Sequence, residues 1–415
     1  GWTVEAAIPF KSLRYQPGTM QEWGILVRRI NKWKNEISYN VQVPASRGIG
    51  GALGASLAAT LVGLEAPAIG KNIEIKPFAL GSLTTDRQAT PPVSNDPDRA
   101  IGLDVKYSIT ENLTLNATVN TDFAQVEADE QQITLTRFNL FFPEKREFFL
   151  ENQGIFVFGG AGQGGGGDTP VLFYSRAIGL NQGRPVPIDA GARVTGRVGR
   201  FTVGAINIES GDDTASSARA TNFSVLRVKR DVFRRSSIGA LYAGRSIGAT
   251  TPDRNDTFGL DGAFNLFTNL SINTYWAKAH GIGSSTNDMS YRGQVDYQGD
   301  RYGAAFERLV VGDNFSPGVG FVRRSDMRKT SGQFRFSPRT PRIKAIRKLQ
   351  WIGAGNFIRN GAGRLESRTI SGEFDILFQN SDTFAIWHER NYEFSPRPFN
   401  PSAPLRLCAN KKISR

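Results

Sequence analysis

From Leu103 to Asn120 the chain alternates apolar and polar residues with one interruption. Leu103, Val105, Tyr107 and Ile109 stand against Asp104, Lys106, Ser108 and Thr110, and then Leu113, Leu115, Ala117 and Val119 against Thr114, Asn116, Thr118 and Asn120. Successive side chains of a strand point to opposite faces, so a period of two predicts strands and excludes a helix. The interruption at Thr110-Glu111-Asn112 predicts a hairpin with a three-residue loop ending at Asn112, a residue that tolerates positive φ. Such a loop sets Tyr107 opposite Leu115, Val105 opposite Ala117 and Leu103 opposite Val119, with Lys106 opposite Asn116 and Asp104 opposite Thr118. One face of the ribbon is then apolar and the other polar, a pattern shared by soluble sandwiches and membrane barrels.

The segment after the hairpin favours the barrel. From Thr121 to Gln132 the chain turns acidic, with Asp122, Glu127, Asp129 and Glu130. It then runs through Phe138, Leu140, Phe141, Phe142, Pro143, Glu144, Lys145, Arg146, Glu147, Phe148, Phe149 and Leu150 to Glu151. Aromatics interleaved with both signs of charge fit neither an exposed loop nor a regular strand, and the inside of a barrel would protect them.

Further hairpins recur. Gly199-Arg200 predicts a turn pairing Val198 with Phe201, Gly196 with Val203 and Val194 with Ala205. Gln298 to Arg301 predicts one pairing Tyr297 with Tyr302, Val295 with Ala304 and Gly293 with Phe306. Strands are also expected at Thr257 to Phe267, Leu270 to Ala279, Thr330 to Phe336, Leu349 to Ile358, Arg364 to Phe378 and Thr383 to Tyr392. That makes a dozen or more beyond residue 70, many near the roughly ten residues a tilted spanning strand needs. In TNFSVLRVKRDVF, Arg230 breaks the alternation; arginine at a bilayer midplane costs about 2–4 kcal/mol, so its place is near an interface. Thr84 to Arg99, with Pro91, Pro92 and Pro97, is expected to be a long surface loop.

The 45 glycines and only 3 methionines suit an all-β chain. The single Cys408 excludes a disulfide framework or cysteine metal site within the chain, and His280 and His388 fall in alternating runs as polar strand positions. The formal charge of +13 raises nucleic acid, but the basic residues are scattered over strands and no nucleic-acid-binding motif is present, so a lumen or anionic lipid headgroups account for it. No metal and no cofactor is expected, because no calcium loop, phosphate loop or zinc helix occurs. GGAGQGGGGD at 159–168 lacks the Lys-Ser/Thr of a phosphate loop and is expected to be mobile.

Residues 1–46 are expected to be a unit of their own. Trp2 to Ile8, Trp23 to Ile30 and Asn40 to Pro44 are its strands, the closing part of a sandwich. Residues 47–70 form a linker with a short strand, since the charge-free run from Gly48 to Leu64 is shorter than the roughly 20 residues of a spanning helix and rich in glycine. The last segment, 401–415, lacks the terminal aromatic of a finished outer-membrane barrel. It is read as an irregular tail, open to being an artefact, and the barrel as open to being incomplete.

GWTVEAAIPFKSLRY with EWGILVRRINKWKNE is similar to the end of the family 9 carbohydrate-binding module. NLTLNATVNTDFAQVEADEQQITLTRFNLFFPEKREFFLEN, LFYSRAIGL, GARVTGRVG and TNFSVLRVKRD resemble the domain of unknown function numbered 5916, over about residues 70 to 390. That domain commonly follows such a module in exported proteins of Gram-negative bacteria. The resemblance implies a cell outer membrane location with the module in the periplasm, lipid as a partner, and a carbohydrate ligand.

The fold class is therefore all-β: an antiparallel transmembrane-type β-barrel over 71–400, with a lumenal or plug segment at about 121–170, preceded by the last strands of a β-sandwich. The expected function is handling, binding or transporting glycans or other polymers at the envelope. Asp122, Glu130, Arg137, Lys145, Arg146, Glu147 and Glu151 are assigned to a charge-paired plug or lumen network. The alternative is a secreted or membrane-attached carbohydrate-active hydrolase using Glu127, Asp129 or Glu144, since paired carboxylates carry glycoside hydrolysis; no catalytic set is assigned. Trp23, Trp33 and Tyr39 are the candidates for stacking on sugar, against the competing reading of core or edge aromatics. A soluble propeller lacks support, as no blade-length repeat occurs, and the oligomeric state stays open.

Overall fold

The computed structural model describes residues 3–10, 13, 15, 18–33, 36–43, 57–67, 73–87, 93–121, 138–161, 167–181, 184–214, 217–233, 235–248, 253–281, 286–380 and 382–394. Four strands come first: β1 (Gly18–Ile25), β2 (Arg28–Asn31), β3 (Glu36–Tyr39) and β4 (Ala59–Ala66). Longer strands succeed them: β5 (Ile73–Asp86), β6 (Val93–Thr110) and β7 (Leu113–Thr121). A long inserted segment then carries one helical turn, α1 (Glu147–Leu150), and the two-residue strands β8 (Leu180–Asn181) and β9 (Arg184–Pro185). The meander resumes with β10 (Ile188–Val198), β11 (Phe201–Ser210), β12 (Thr221–Val232), β13 (Ser236–Ile247), β14 (Asp253–Leu266) and β15 (Leu270–Gly281). It ends with β16 (Met289–Gln298), β17 (Tyr302–Val311), β18 (Met327–Phe336), β19 (Ile346–Arg359), β20 (Leu365–Phe378) and β21 (Thr383–Glu393).

β5–β7 and β10–β21 form one antiparallel 15-stranded sheet in sequence order, the neighbours of a barrel wall. β5 and β21 are its two edges and are not paired with each other among the described residues. No helix there is long and apolar enough to cross a membrane.

The polarity of this sheet is inverted relative to a soluble core. Alternate side chains of the wall are apolar and exposed, as in Leu226 (49%), Leu260 (58%), Phe306 (54%), Phe334 (55%) and Ile386 (57%). Their neighbours along the strands include Arg227, Thr257 and Ser290, each 0% exposed. The inner face is not uniformly polar, however. Ile206, Ile208, Phe223, Val225, Leu241, Ala243, Tyr275 and Ala277 of β11–β15 form a buried cluster with Phe149, Phe156, Phe158, Leu172 and Ile178 of the insert. Ile188 of β10, Leu309 and Val311 of β17, Met327 of β18 and Ile358 of β19 extend the same cluster, so the insert folds onto an apolar patch inside the wall, with buried charge beside it.

Register tracks the alternation closely. Leu103 pairs with Val119, Val105 with Ala117, Tyr107 with Leu115, Lys106 with Asn116 and Asp104 with Thr118. The connection is tighter than a three-residue loop: Thr110 pairs with Leu113 around Glu111-Asn112, and an irregularity between Ser108 and Thr110 absorbs the extra residue. Val194, Gly196 and Val198 pair as expected with Ala205, Val203 and Phe201.

The hairpin after β16 differs. Tyr297 faces Ala304, Val295 faces Phe306 and Gly293 faces Arg308, a slip of two residues from the expected register. The cause lies at the end of β18. The carbonyls of Gly299 and Asp300 accept hydrogen bonds from Arg335 Nη2 (2.5 Å) and Ser337 Oγ (2.8 Å), which draws residues 299–301 away from the hairpin. An even slip leaves every side chain on its expected face.

Three local expectations are corrected. Residues 3–9 belong to no strand despite their alternation, because none of the described strands pairs with them and a lone strand leaves its backbone groups unpaired. Val4 and Ile8 are 79% and 64% exposed. The run Trp23 to Ile30 breaks at Leu26-Val27, where Asn40 Oδ1 accepts from Val27 N (2.8 Å) and Asn40 Nδ2 donates to Ile25 O (3.3 Å). The third strand consequently lies at Glu36–Tyr39 rather than Asn40 to Pro44, and β1 pairs instead with β4, inside the expected linker. Thr84 to Arg99 is not one long loop, since β5 and β6 stay paired out to Asp86 and Val93; cross-strand pairing overrides its proline-rich composition.

Candidate functional site: the inserted segment and the wall around it

The insert hangs from the end of the wall opposite the short turns at Glu111-Asn112 and Gly199-Arg200. It leaves β7 at Thr121, returns at Ile188, and in between reaches the middle of the strands. Its tip is fastened by charge. Arg227, in the middle of β12, donates from Nη1 and Nη2 to the two carboxylate oxygens of Asp261 on β14, both at 2.7 Å, and from Nη2 to Val157 O at 2.9 Å. Asp261 Oδ2 also accepts from Gly159 N (3.1 Å), and Arg292 Nη1 donates to Gly159 O (3.1 Å). A buried charge pair is tolerated only when such bonds satisfy it, and this one is bidentate and further bonded to the backbone of the insert.

Gly159 at φ +61° turns this tip, and a Cβ there would stand 2.4 Å from the Tyr275 ring. Glycine is required at this position, so the start of the glycine run is a packed turn rather than a mobile loop. Residues 162–166 lie outside the described residues.

The expected network residues divide. Glu144 and Arg146 form a pair whose side chains are each 6% exposed. Glu144 Oε1 accepts from Arg146 Nε (2.8 Å), and Oε2 accepts from Arg146 Nη2 (2.7 Å) and Ser175 Oγ (2.5 Å). Oε1 further accepts from the backbone N–H groups of Lys145 and Arg146, both at 3.0 Å. Arg146 in turn donates to the carbonyls of Ile178 and Ser175, both at 2.6 Å, and lies 4.3 Å from the centre of the Phe149 ring. Burial pushes the Glu144 carboxyl upward, but the Arg146 guanidinium, with Ser175 and the backbone N–H, outweighs it and holds the group below its ordinary value near 4.5. A carboxylate so fully bonded and held ionised is a folding hub and poorly suited to act as a general acid.

Glu151 meets Lys106 Nζ at 2.9 Å and Arg193 Nη2 at 3.2 Å, joining the insert to β6 and β10. Arg193 also donates to the carbonyls of Phe148 and Glu151. Glu147 is 92% exposed and 3.8 Å from Lys76 Nζ. Lys145 enters through its backbone N–H to Glu144. Asp122, Glu127, Asp129, Glu130 and Arg137 lie outside the described residues. Among the described residues no group of acidic, histidine or cysteine side chains could hold a metal ion.

The sugar-stacking candidates do not converge on one described site. Trp23 packs against Phe10 and Tyr15, with ring centres 6.2 and 5.8 Å away. Trp33 is 95% exposed beyond the end of β2, and Tyr39 is half-buried on β3.

Several residues that tie the insert to the wall, or the wall strands to one another, escape sequence reading. Arg227, Asp261, Arg292 and Glu307 each occupy inner strand positions that alternation alone can flag, but their partners lie on other strands, and Arg324 lies in a connection that no alternation marks. Arg292 Nε reaches Glu307 Oε1 at 2.6 Å, and Lys329 Nζ bridges Glu307 (3.3 Å) to Asp168 of the insert (3.1 Å). The connection between β17 and β18 folds inward as a second clasp. Tyr174 N donates to Val319 O (2.8 Å), Val171 bridges to Phe321, and Arg324 holds Glu366 (2.5 Å) while lying 5.0 Å from the Phe138 ring centre.

Among solved structures, the chain is similar to Pseudomonas aeruginosa OccK8 (OprE), with 12% identity, 80% of this chain and 86% of that chain covered, and a TM-score of 0.32. For Pseudomonas aeruginosa OpdL the values are 14%, 78%, 84% and 0.30. For a loop-deletion mutant of OmpT, an outer membrane protein of Vibrio cholerae, they are 10%, 77%, 99% and 0.21. No curated protein matches. Residues 73–190, which span the first three wall strands and the insert, match the family described as a domain of unknown function (DUF5916), and this match begins beyond the segment likened to a carbohydrate-binding module.

Proposed function

We propose that this chain forms an outer-membrane β-barrel in which the segment at about 121–170 is a lumenal plug or constriction, and that polar solutes, glycans and other polymers among them, are handled along the wall it leaves uncovered. The observation that carries this reading is the inverted sheet, with exposed apolar side chains outside and buried charge inside. Water on both faces would make the outer surface an aggregation hazard, whereas lipid makes it favourable. Wall strands of 10 to 14 residues, such as β11 and β14, suit a span of the bilayer.

An aromatic ladder supports the same reading. Tyr302, Phe336, Trp351 and Phe374 sit side by side on four neighbouring strands toward the short-turn end, with ring centres 5.3, 5.8 and 5.0 Å apart in turn. Aromatic girdles stand at the membrane interfaces of such barrels. Arg230 lies near the same end, 5.4 Å from the Phe201 ring centre, at a height where its charge costs little. β5 also begins at the short-turn end, which faces the periplasm in these barrels; a carbohydrate-binding-like unit at 1–46 would hang there.

The hydrolase alternative draws no support from Glu144, whose carboxylate is fully committed to Arg146 and Ser175. The test is fractionation and electrophoresis. The protein should partition with outer membranes and migrate faster unheated than boiled, and reconstituted vesicles should become permeable to small sugars. A soluble monomer with no heat-dependent migration would refute the proposal.

A further inference from the structure

Beside the point where Lys329 ties Glu307 to Asp168 of the insert, β16–β20 carry two adjacent rows of inward side chains. Gln294, Glu307, Ser331, Asn356 and Thr369 are successive cross-strand partners in the first row. Ala305, Gln333, Ala354 and Ser371 form the second. The two alanines of the second row leave space where a longer residue would fill it, and the result is a recess of about 190 Å3.

Three properties of the recess select a ligand. Its rim is amide and hydroxyl, and its one acid, Glu307, is already neutralised by Arg292 and Lys329. Asn356 Oδ1 is buried with no hydrogen-bond partner, an expensive state that a turn of the side chain into the recess, onto a ligand donor, would relieve. Gln333 and Ser371 have no side-chain partner among the described residues either, whereas Thr369 and Ser331 are oriented by bonds to Asn391 (2.7 Å) and Glu307 (3.3 Å). We propose that this recess is a subsite for one ring of a neutral, hydroxyl-bearing solute, a sugar unit, with Asn356 Oδ1 accepting a ligand hydroxyl and Gln333 and Ser371 completing the contact. A charged ligand would meet no uncompensated counter-charge there. The inference rests on the barrel reading above, because it requires the inner face to be the wet one.

The experiment uses the full chain in detergent, with D-glucose and trehalose as probes in saturation-transfer NMR. Wild type should transfer saturation to both sugars. Asn356→Leu, which removes the acceptor, and Ala354→Trp, which fills the floor, should each weaken binding at least tenfold while keeping heat-dependent migration as evidence of folding. No transfer in wild type, or equal transfer in both folded variants, overturns the subsite. Bilayer conductance is read separately: a protein that conducts but takes up neither sugar loses only the subsite, whereas one that never inserts loses the membrane reading.

Discussion

Removing the Arg227 guanidinium should expose how firmly the insert is fastened. Its side chain is 0% exposed and that of Asp261 is 14% exposed, so Arg227→Met leaves a nearly buried carboxylate with only the Gly159 N–H as a described donor. Taking one partner from a buried pair costs about 3–5 kcal/mol, because the survivor keeps its desolvation penalty. Loss of the 2.9 Å bond to Val157 O frees a partly buried carbonyl as well and adds about 1 kcal/mol. The midpoint of urea unfolding in detergent should fall accordingly, and limited proteolysis should begin cutting within 138–161. The double variant Arg227→Met, Asp261→Leu removes both charges and should recover a large part of the loss, since apolar replacement of a whole pair is often neutral. A single-variant loss below about 0.5 kcal/mol, which is typical of surface changes, would refute the argument that this pair anchors the tip.

Two more outcomes are expected from the same geometry. Because the Glu144 carboxyl is held below its ordinary value near 4.5, the stability it lends is present above that value and is lost as pH falls through the depressed folded value. Protease sensitivity of the insert should therefore rise as pH drops below about 4.5, and Glu144→Gln should make the insert sensitive already at neutral pH and flatten the dependence. Leu260→Arg, in the middle of the outer face of β14, should lower stability by about 2–4 kcal/mol in lipid vesicles, whereas the native Arg230 near the turn is tolerated; equal stability of Leu260→Arg and wild type would contradict a lipid-facing surface.

Much of the wall was legible in the sequence because a period of two carries both the strand and its orientation. The hairpins at 101–120 and 194–205 are in register, and the hairpin at 293–306 slips by two because Arg335 of β18 and Ser337 just after it hold Gly299 and Asp300. What the alternation could not carry is partnership. Arg227 stands out as a polar position, but Asp261 lies 34 residues on, and nothing local announces their meeting. For the same reason residues 3–9 alternate without forming a strand. The apolar inner patch of β11–β15 was invisible because period two distinguishes faces and does not say what covers them. Glu144 read as a catalytic candidate by residue type; only its burial against Arg146 and Ser175 reassigns it.

The most direct test asks which side chains touch lipid. Single cysteines placed in a Cys408→Ser background along β17 and β18, at Phe306, Glu307, Phe334 and Arg335, can carry a fluorophore in vesicles holding a lipid-attached quencher. The account predicts strong quenching at 306 and 334 and weak quenching at 307 and 335. Uniform quenching at all four, or the opposite alternation, would contradict it.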